Sequence, residues 1–291
     1  MQPANLQPAT FQLGLIGHPL SHSLSPKLHT AALQACGLQG DYSLFPIHPD
    51  DKQALKDLLA RIRSGEIHGL NVTIPHKQNV IPLLDDLTPT AKAIGAVNTI
   101  CLRESKLIGD NTDATGFLID LNHFLANNQS EIADRKSVIV LGAGGSARAI
   151  VYALLNNGWN VTLAARRIEQ AQELAAQFEN VNALELNLQT FQLSNLQLIV
   201  NTTPLGMTPN IDQSPLPENL SLPSNVFIYD LVYNPRKTKL VRNARAQGLQ
   251  AATGLGMLIE QAALAFELWT GHNPSRELMR ASIEQSPISN L

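Results

Sequence analysis

The run Ser137-Val-Ile-Val-Leu141, followed at once by Gly142-Ala143-Gly144-Gly145-Ser146-Ala147, constrains the fold more than any other stretch of the chain. The first five residues read as a buried strand, and the glycines that follow open a helix. A glycine-rich turn in that setting is the start of a dinucleotide-binding βαβ unit. Gly142 permits the tight turn, Gly144 lets the backbone approach a pyrophosphate, and Ala147 lets helix and strand pack closely. The first amides of the helix, in the loop that also holds Ala143, Gly145 and Ser146, face the phosphates with the positive end of the helix dipole. Taken alone, the segment also reads as a tight strand–helix turn with no ligand.

The rest of the chain repeats this alternation. Strands are expected near residues 160–165, 181–186, 196–200 and 226–229, and the five-proline piece from Pro204 to Pro223 is expected as a loop. Upstream, a strand at 11–17 precedes a helix at 26–36 with Pro26 in its first turn. A strand at about 41–47, a helix at about 50–62 and a strand at 67–73 follow. A hairpin around Glu104-Ser-Lys106 joins segments near 97–103 and 106–110, and a helix starts after Asp113. The polar segment 127–136 reads as a linker. From Gly254 a helix runs towards Trp269, with Gly271 as its cap. The expectation is an α/β protein of two domains, one an open, mostly parallel α/β sheet and the other of Rossmann type. At 291 residues the chain is long enough for two cores.

Composition excludes several classes. A net charge of −3 gives no basic field for nucleic acid or an anionic membrane. Cys36 and Cys101 are the only cysteines, so neither a disulfide framework nor a zinc site is expected. Without a signal-like N-terminus or an 18-residue apolar run, the expected setting is cytoplasmic and the partners small molecules.

The cofactor type is read at the end of the second strand of the later series, Ala165-Arg166-Arg167. An NAD site carries an acid there for the ribose 2′-hydroxyl, and an NADP site carries arginine for the 2′-phosphate. No Asp or Glu stands between Gly142 and Arg166, so NADP is expected. Arg167 is either a second phosphate contact or a solvated side chain.

In the earlier series, Asn71-Val-Thr73-Ile-Pro75-His-Lys77 places a lysine just beyond a strand's carboxyl end, where open α/β sheets bind ligands. Asp113, in Gly109-Asp-Asn-Thr-Asp113, also begins a segment at a strand end. A lysine with a lowered pKa can give a proton to a ketone oxygen as hydride arrives, and a nearby carboxylate orients it. Asp113 also reads as a helix N-cap, with Thr112 and Thr115 as competitors. Ser23 and Ser25 flank Leu24, so in an extended segment both hydroxyls face one side and can donate to one carboxylate; Ser25 before Pro26 also reads as a helix cap.

His22-Ser-Leu-Ser-Pro26, Asn71 to Lys77, Gly95-Ala-Val-Asn98-Thr with Gly109 to Gly116, Gly142 to Arg148, and Gly254-Leu-Gly-Met-Leu-Ile-Glu-Gln261 occur in this order. Together they resemble the shikimate dehydrogenase family over nearly the whole chain. The resemblance implies NADPH-dependent reduction of 3-dehydroshikimate to shikimate, on the route to chorismate and the aromatic amino acids. It implies a first domain formed by residues 1–113 and 250–291, an NADP domain at 114–249, and an active site in the cleft between them. It assigns catalysis to Lys77 and Asp113, the substrate carboxylate to Ser23 and Ser25, and further substrate contacts to Thr73, Asn98, Tyr233 and Gln261. Thr202, Leu231 and Gly254 join the glycine loop and the arginines around the cofactor. Ala165-Arg166-Arg167 departs from the family's usual Asn-Arg-Thr and keeps only the central arginine. Alternatives are an NAD-dependent quinate/shikimate dehydrogenase, a ligand-binding paralogue without turnover, and another two-domain NADP enzyme. The oligomer is expected to be a monomer or homodimer.

Overall fold

The structure is a computed structural model and describes residues 10–128, 136–186, 195–218 and 220–284. Most of the expected linker therefore lies outside the described residues. The chain forms two compact units, Met1–Thr112 with Gln261–Leu291, and Asp113–Glu260. Residues 250–260, grouped from the sequence with the first unit, pack in the second.

Unit 1 holds strands β1 (Thr10–Gly17), β2 (Gln39–Pro46), β3 (Gly69–Val72), β4 (Asp86–Leu87), β5 (Thr99–Arg103) and β6 (Lys106–Asp110), in the order β2-β1-β3-β5-β6-β4. Three pairings are parallel, and β5 runs antiparallel to both β3 and β6. The β5–β6 pair is the expected hairpin. Its turn holds Glu104 at φ 49° and Ser105 at φ 62°, the left-handed pair that a two-residue hairpin turn requires. Helices α1 (Ser25–Ala35), α2 (Lys52–Arg63), the single-turn α3 (His76–Asn79) and α4 (Pro89–Ile94) flank the sheet. In α2, Asp51 caps the N-terminus by accepting from Ala54 N at 3.0 Å. Leu55, Leu58, Leu59 and Ile62 then fall on one face and are buried with Leu70, Val72 and Ile100 of β3 and β5. Each such side chain contributes roughly 1.5–3 kcal/mol of burial.

Unit 2 begins with helix α5 (Asp113–Asn127) and continues with β7 (Ser137–Leu141), α6 (Gly145–Leu155), β8 (Asn160–Ala165), α7 (Ile168–Ala175), β9 (Asn182–Glu185), β10 (Leu198–Asn201), β11 (Phe227–Asp230), α8 (Lys239–Ala246) and β12 (Ala251–Thr253). All five pairings in its sheet are parallel, in the order β12-β11-β10-β7-β8-β9. That is the dinucleotide-binding order, with the topological switch point between β7 and β10. The described part of the proline-rich segment holds no helix or strand.

Helix α9 (Leu255–Thr270) starts in unit 2 and ends in unit 1, where Gly271 closes it at φ 72°. Its Trp269 lies directly over Gly69 of β3, where an added Cβ would come within 2.2 Å of the indole. Only glycine fits there. A last helix, α10 (Arg276–Glu284), packs on α1, with Met279 and Ile283 buried. The sequence reading does not anticipate it, although Met279 and Ile283 are spaced one helical turn apart. Among the described residues no helix is long and apolar enough to cross a membrane.

Candidate functional site

In unit 1 the turn after β3 is held from three sides. Thr73 N donates to Ile16 O at 2.9 Å, His18 N to Ile74 O at 2.9 Å, and His76 N to Thr73 O at 2.8 Å. The buried His76 also places its Nε2 at 2.7 Å from Ile47 O. Lys77 follows as the second residue of α3, half-buried, and its carbonyl accepts from Val97 N at 2.8 Å. This fastens the lysine's turn to the segment that delivers Asn98.

Asn98 is buried beside Thr112. Its Oδ1 accepts from Thr112 N at 2.8 Å, while its Nδ2 donates to Thr112 Oγ1 at 2.9 Å and towards Gln261 Oε1 at 3.4 Å. Thr112 Oγ1 in turn donates to Gln261 O at 3.0 Å. The structure thus brings Asn98 and Gln261 together from distant parts of the sequence. The middle member, Thr112, reads from the sequence only as a possible cap. Asp113 is the first residue of α5 and is buried.

At the start of α1 the serines are arranged differently from expectation. Leu24 adopts a right-handed helical conformation (φ −88°, ψ −6°), so the pair does not lie in an extended segment. The same geometry removes the cap reading of Ser25. Leu24 is the capping residue and no side chain caps the helix, while Ser25 is buried one residue inside it. Ser23 Oγ accepts from Ser25 N at 3.3 Å. The Tyr42 phenol donates to Asn71 Oδ1 at 2.8 Å. Asn71 Nδ2 donates to Asn98 O at 3.3 Å. Burial pushes the Tyr42 phenol well above its ordinary range, with Ser25 opposing. Behind it, His29 is fully buried and stacked on Tyr42, ring centroids 4.3 Å apart at 5°. Neither imidazole nitrogen has a hydrogen-bond partner, and burial pushes His29 down to about 3, with the neighbouring Asn71 opposing in part.

Sequence reasoning misses Tyr42 altogether and treats Asn71 only as the start of a motif. The one available signal was polarity: Asn71 is an amide in the middle of a strand buried on both faces.

In unit 2 the glycine loop has the geometry a dinucleotide requires. Gly142 has φ 106°, and a Cβ there would stand 2.7 Å from Thr202 Oγ1. Thr202 is itself fixed by its N and Oγ1, both donating to Leu141 O, at 2.9 and 2.7 Å. Gly144, at the N-terminus of α6, has no atom within 4 Å of an added Cβ, so its backbone faces open space. Ala147 is fully buried where α6 meets the sheet. At Gly254 a Cβ would lie 2.2 Å from Leu231 O, so these two expected cofactor residues are in direct contact. Arg166 and Arg167 are both exposed at the end of β8, and Arg167 is the residue that enters α7.

Behind this edge lies a second polar cluster. Asp230 is fully buried and accepts from Asn201 Nδ2 at 2.8 Å, Val232 N at 3.1 Å and Thr238 Oγ1 at 2.6 Å. Burial outweighs these three donors and pushes Asp230 up to about 6. Asn201 Oδ1 accepts from Thr203 N and Oγ1, which sets the loop carrying Thr202. Tyr233 is half-buried just beyond. Among the described residues no group of His, Cys, Asp and Glu could hold a metal ion.

A Rossmann unit with an open glycine turn, in a chain whose other unit carries a buried polar site, defines a dinucleotide-dependent oxidoreductase. The comparisons identify which kind. Residues 15–100 match the family described as shikimate dehydrogenase substrate binding domain, 124–243 that of shikimate/quinate 5-dehydrogenase, and 254–284 the shikimate 5′-dehydrogenase C-terminal domain. A shikimate dehydrogenase (NADP(+)) of Carboxydothermus hydrogenoformans is 40% identical over 274 residues, 93% of this chain and 95% of that protein. The crystal structure of shikimate 5-dehydrogenase from Thermus thermophilus with NADP(H) and shikimate is 37% identical, with TM-score 0.82 over 94% of this chain and 99% of that one. A quinate dehydrogenase from Corynebacterium glutamicum, solved with NAD, is 32% identical, with TM-score 0.84 over 95% and 99%. The chain belongs to the shikimate dehydrogenase family.

Proposed function

We propose that this chain is an NADP-dependent shikimate dehydrogenase, which reversibly reduces 3-dehydroshikimate to shikimate on the route to chorismate and the aromatic amino acids. Ser23 and Ser25 donate to the substrate carboxylate, and Thr73, Asn98, Tyr233 and Gln261 contact the rest of the ring. The observation that carries this reading is the Asn98–Thr112–Gln261 cluster. It fixes two amides side by side, a combination suited to a polyol whose hydroxyls both donate and accept.

The open backbone at Gly144, the positive φ of Gly142 and the α6 N-terminus suit a pyrophosphate, and Arg166 suits a 2′-phosphate better than a bare ribose hydroxyl. Arg167 is a second phosphate contact. When bound, NADPH supplies the hydride. As negative charge develops on the ketone oxygen, Lys77 gives it a proton from Nζ, and in reverse takes the proton from the alcohol. Asp113 orients that ammonium and the reacting hydroxyl. Thr202, Leu231 and Gly254 shape the loops along the cofactor. The setting is cytoplasmic, and the functional form is a monomer or homodimer.

Initial rates with shikimate and with quinate, each against NADP and NAD, test the reading. Turnover is expected to be best with shikimate and NADP. A preference for quinate with NAD would replace this function with that of the Corynebacterium relative, and no turnover with any pair would leave a ligand-binding paralogue.

A further inference from the structure

Asp230 ends β11 in the interior of unit 2, and its three donors, the Asn201 amide, the Val232 N–H and the Thr238 hydroxyl, are all neutral. They do not offset its burial, since the carboxyl is pushed up to about 6 rather than down. A buried charge of this kind costs the fold more than a neutral residue of the same shape, so it needs another reason to be there. The proposed reaction uses neither Asp230 nor Asn201.

The carboxylate decides which way the Asn201 amide faces. Asn201 is the last residue of β10 and is fully buried. Its Nδ2 donates to Asp230 Oδ1 at 2.8 Å, which turns its Oδ1 towards the following loop. There Oδ1 accepts from Thr203 N at 2.9 Å and from Thr203 Oγ1 at 2.7 Å. The Thr203 hydroxyl carries the tie one step further by accepting from Leu205 N at 3.3 Å. From the opposite side, Thr202 is fastened to Leu141 O at the end of β7. The loop after β10 is thus tied to the ends of both neighbouring strands, β11 and β7, at the switch point where the glycine turn leaves the sheet. Loop and turn meet directly: a Cβ on Gly142 would stand 2.7 Å from Thr202 Oγ1 and 3.1 Å from Thr203 Cγ2. The same carboxylate oxygen takes Val232 N, in the loop whose Leu231 carbonyl lies against Gly254.

We infer that Asp230 and Asn201 are a pair of positioning residues for the cofactor site, which hold the loop from Thr202 to Leu205 against the glycine turn. That wall of the crevice is then formed before a dinucleotide arrives, and binding does not have to order it. The pair acts through the loop and takes no part in the chemistry. This rests on the reading of the glycine turn as the pyrophosphate cradle.

Thr203→Val keeps the shape of the side chain and deletes only the hydroxyl that Asn201 holds. A lower Tm is expected whether or not the tie positions anything, so the informative quantity is binding. Calorimetric titration of the full chain with NADP and with NAD, without substrate, should show both Kd values raised roughly three- to tenfold, the equivalent of one ordinary hydrogen bond. Thr203→Ser keeps the hydroxyl and should bind both cofactors as the wild type does. Asn201→Ala also frees Thr203 N and should weaken both further. Thr238→Val is the control for lost stability: it removes the donor to the other carboxylate oxygen and the cap that Val241 N donates to, so Tm should fall with both Kd values nearly unchanged. A Thr203→Val protein with lowered Tm and wild-type Kd for both cofactors overturns the proposal. So does weak binding that persists in Thr203→Ser, or an equal loss of binding in Thr238→Val. If Gly144→Ala leaves both Kd values unchanged, the cradle reading fails and the proposal fails with it; if Gly144→Ala weakens binding and Thr203→Val does not, the positioning role alone is lost.

Discussion

In unit 1 a central pair of candidate substrate contacts is held side chain to side chain, Asn98 by Thr112 and Gln261. In unit 2 the candidate cofactor contacts are largely backbone, set by glycines at Gly142, Gly144 and Gly254, with charged side chains only at the exposed end of β8. A buried side-chain network reads a small polyol one hydroxyl at a time, because each unpaired polar atom costs binding energy. A backbone cradle reads what all dinucleotides share, their pyrophosphate, and leaves discrimination to the arginines at the rim. Changes in unit 1 should therefore alter which molecule reacts and how fast. Changes at the rim of unit 2 should alter which cofactor is preferred.

The largest effect is expected at Lys77. Lys77→Ala should lower kcat by on the order of 10²–10⁴, the usual contribution of a general acid–base group, with a smaller effect on KM. Asp113→Asn should fold and still lose activity, because a neutral amide cannot replace the carboxylate. Near-normal kcat in folded Lys77→Ala enzyme would remove chemistry from unit 1 and leave it a binding unit.

The two units also carry opposite responses to pH. His29 in unit 1 is pushed below its ordinary 6.5 to about 3, so its contribution to stability is complete above 6.5 and is lost as pH falls towards 3. Asp230 in unit 2 is raised from 3.8 to about 6, so its contribution is complete below about 4 and is lost as pH rises through 6. At about 1.4 kcal/mol per unit these terms reach roughly 5 and 3 kcal/mol. His29→Phe should preserve the aromatic stack and flatten the acid side of the Tm–pH curve. Asp230→Asn should make the curve fall less between pH 4 and 6. If both variants shift the curve in the same sense, these two groups are not the source of the difference.

At the rim of unit 2, the double Arg166/Arg167→Ala variant should raise KM for NADP by roughly 10- to 100-fold, the worth of a lost charge-assisted contact. KM for NAD should hardly move, since NAD has no phosphate there. Retention of the wild-type preference would mean that the end of β8 does not discriminate the cofactors.

The same contrast decides how much was legible in the sequence. The backbone site of unit 2 is written in contiguous residues. The glycine spacing, the bounds of β8 at 160–165 and the lack of an acid before Arg166 follow from short-range rules. In unit 1, Lys77 and Ser25 were visible as parts of short motifs. What holds Asn98 was not, because its partner Thr112 is bonded to Gln261, 149 positions away, and neither was the Tyr42–Asn71 bond, whose ends are 29 apart. Pairings of that kind are created by sheet order, which no local pattern encodes. At Ser23 and Ser25 an extended segment is the local expectation for two alternating polar residues, whereas Leu24 already turns into the helix.

The smallest effect is the most specific test of the backbone half of the comparison. Gly142 and Gly144 are two residues apart, yet an added methyl should act on them through different physics. At Gly142, φ is 106° and Thr202 Oγ1 would be 2.7 Å away, so Gly142→Ala strains the empty protein and should lower Tm and cofactor binding together. At Gly144, φ is −86° with extended ψ, and nothing lies within 4 Å of the new methyl. Gly144→Ala should therefore leave Tm within about a degree or two of wild type. The methyl would, however, occupy the space through which the backbone meets a pyrophosphate. KM for NADP should rise roughly three- to tenfold, and KM for NAD by the same factor, since both cofactors carry that group. Equal losses for the two cofactors at Gly144, set against unequal losses at Arg166 and Arg167, would separate the shared cradle from the discriminating rim. An unchanged KM for both at Gly144 would place the pyrophosphate elsewhere on unit 2.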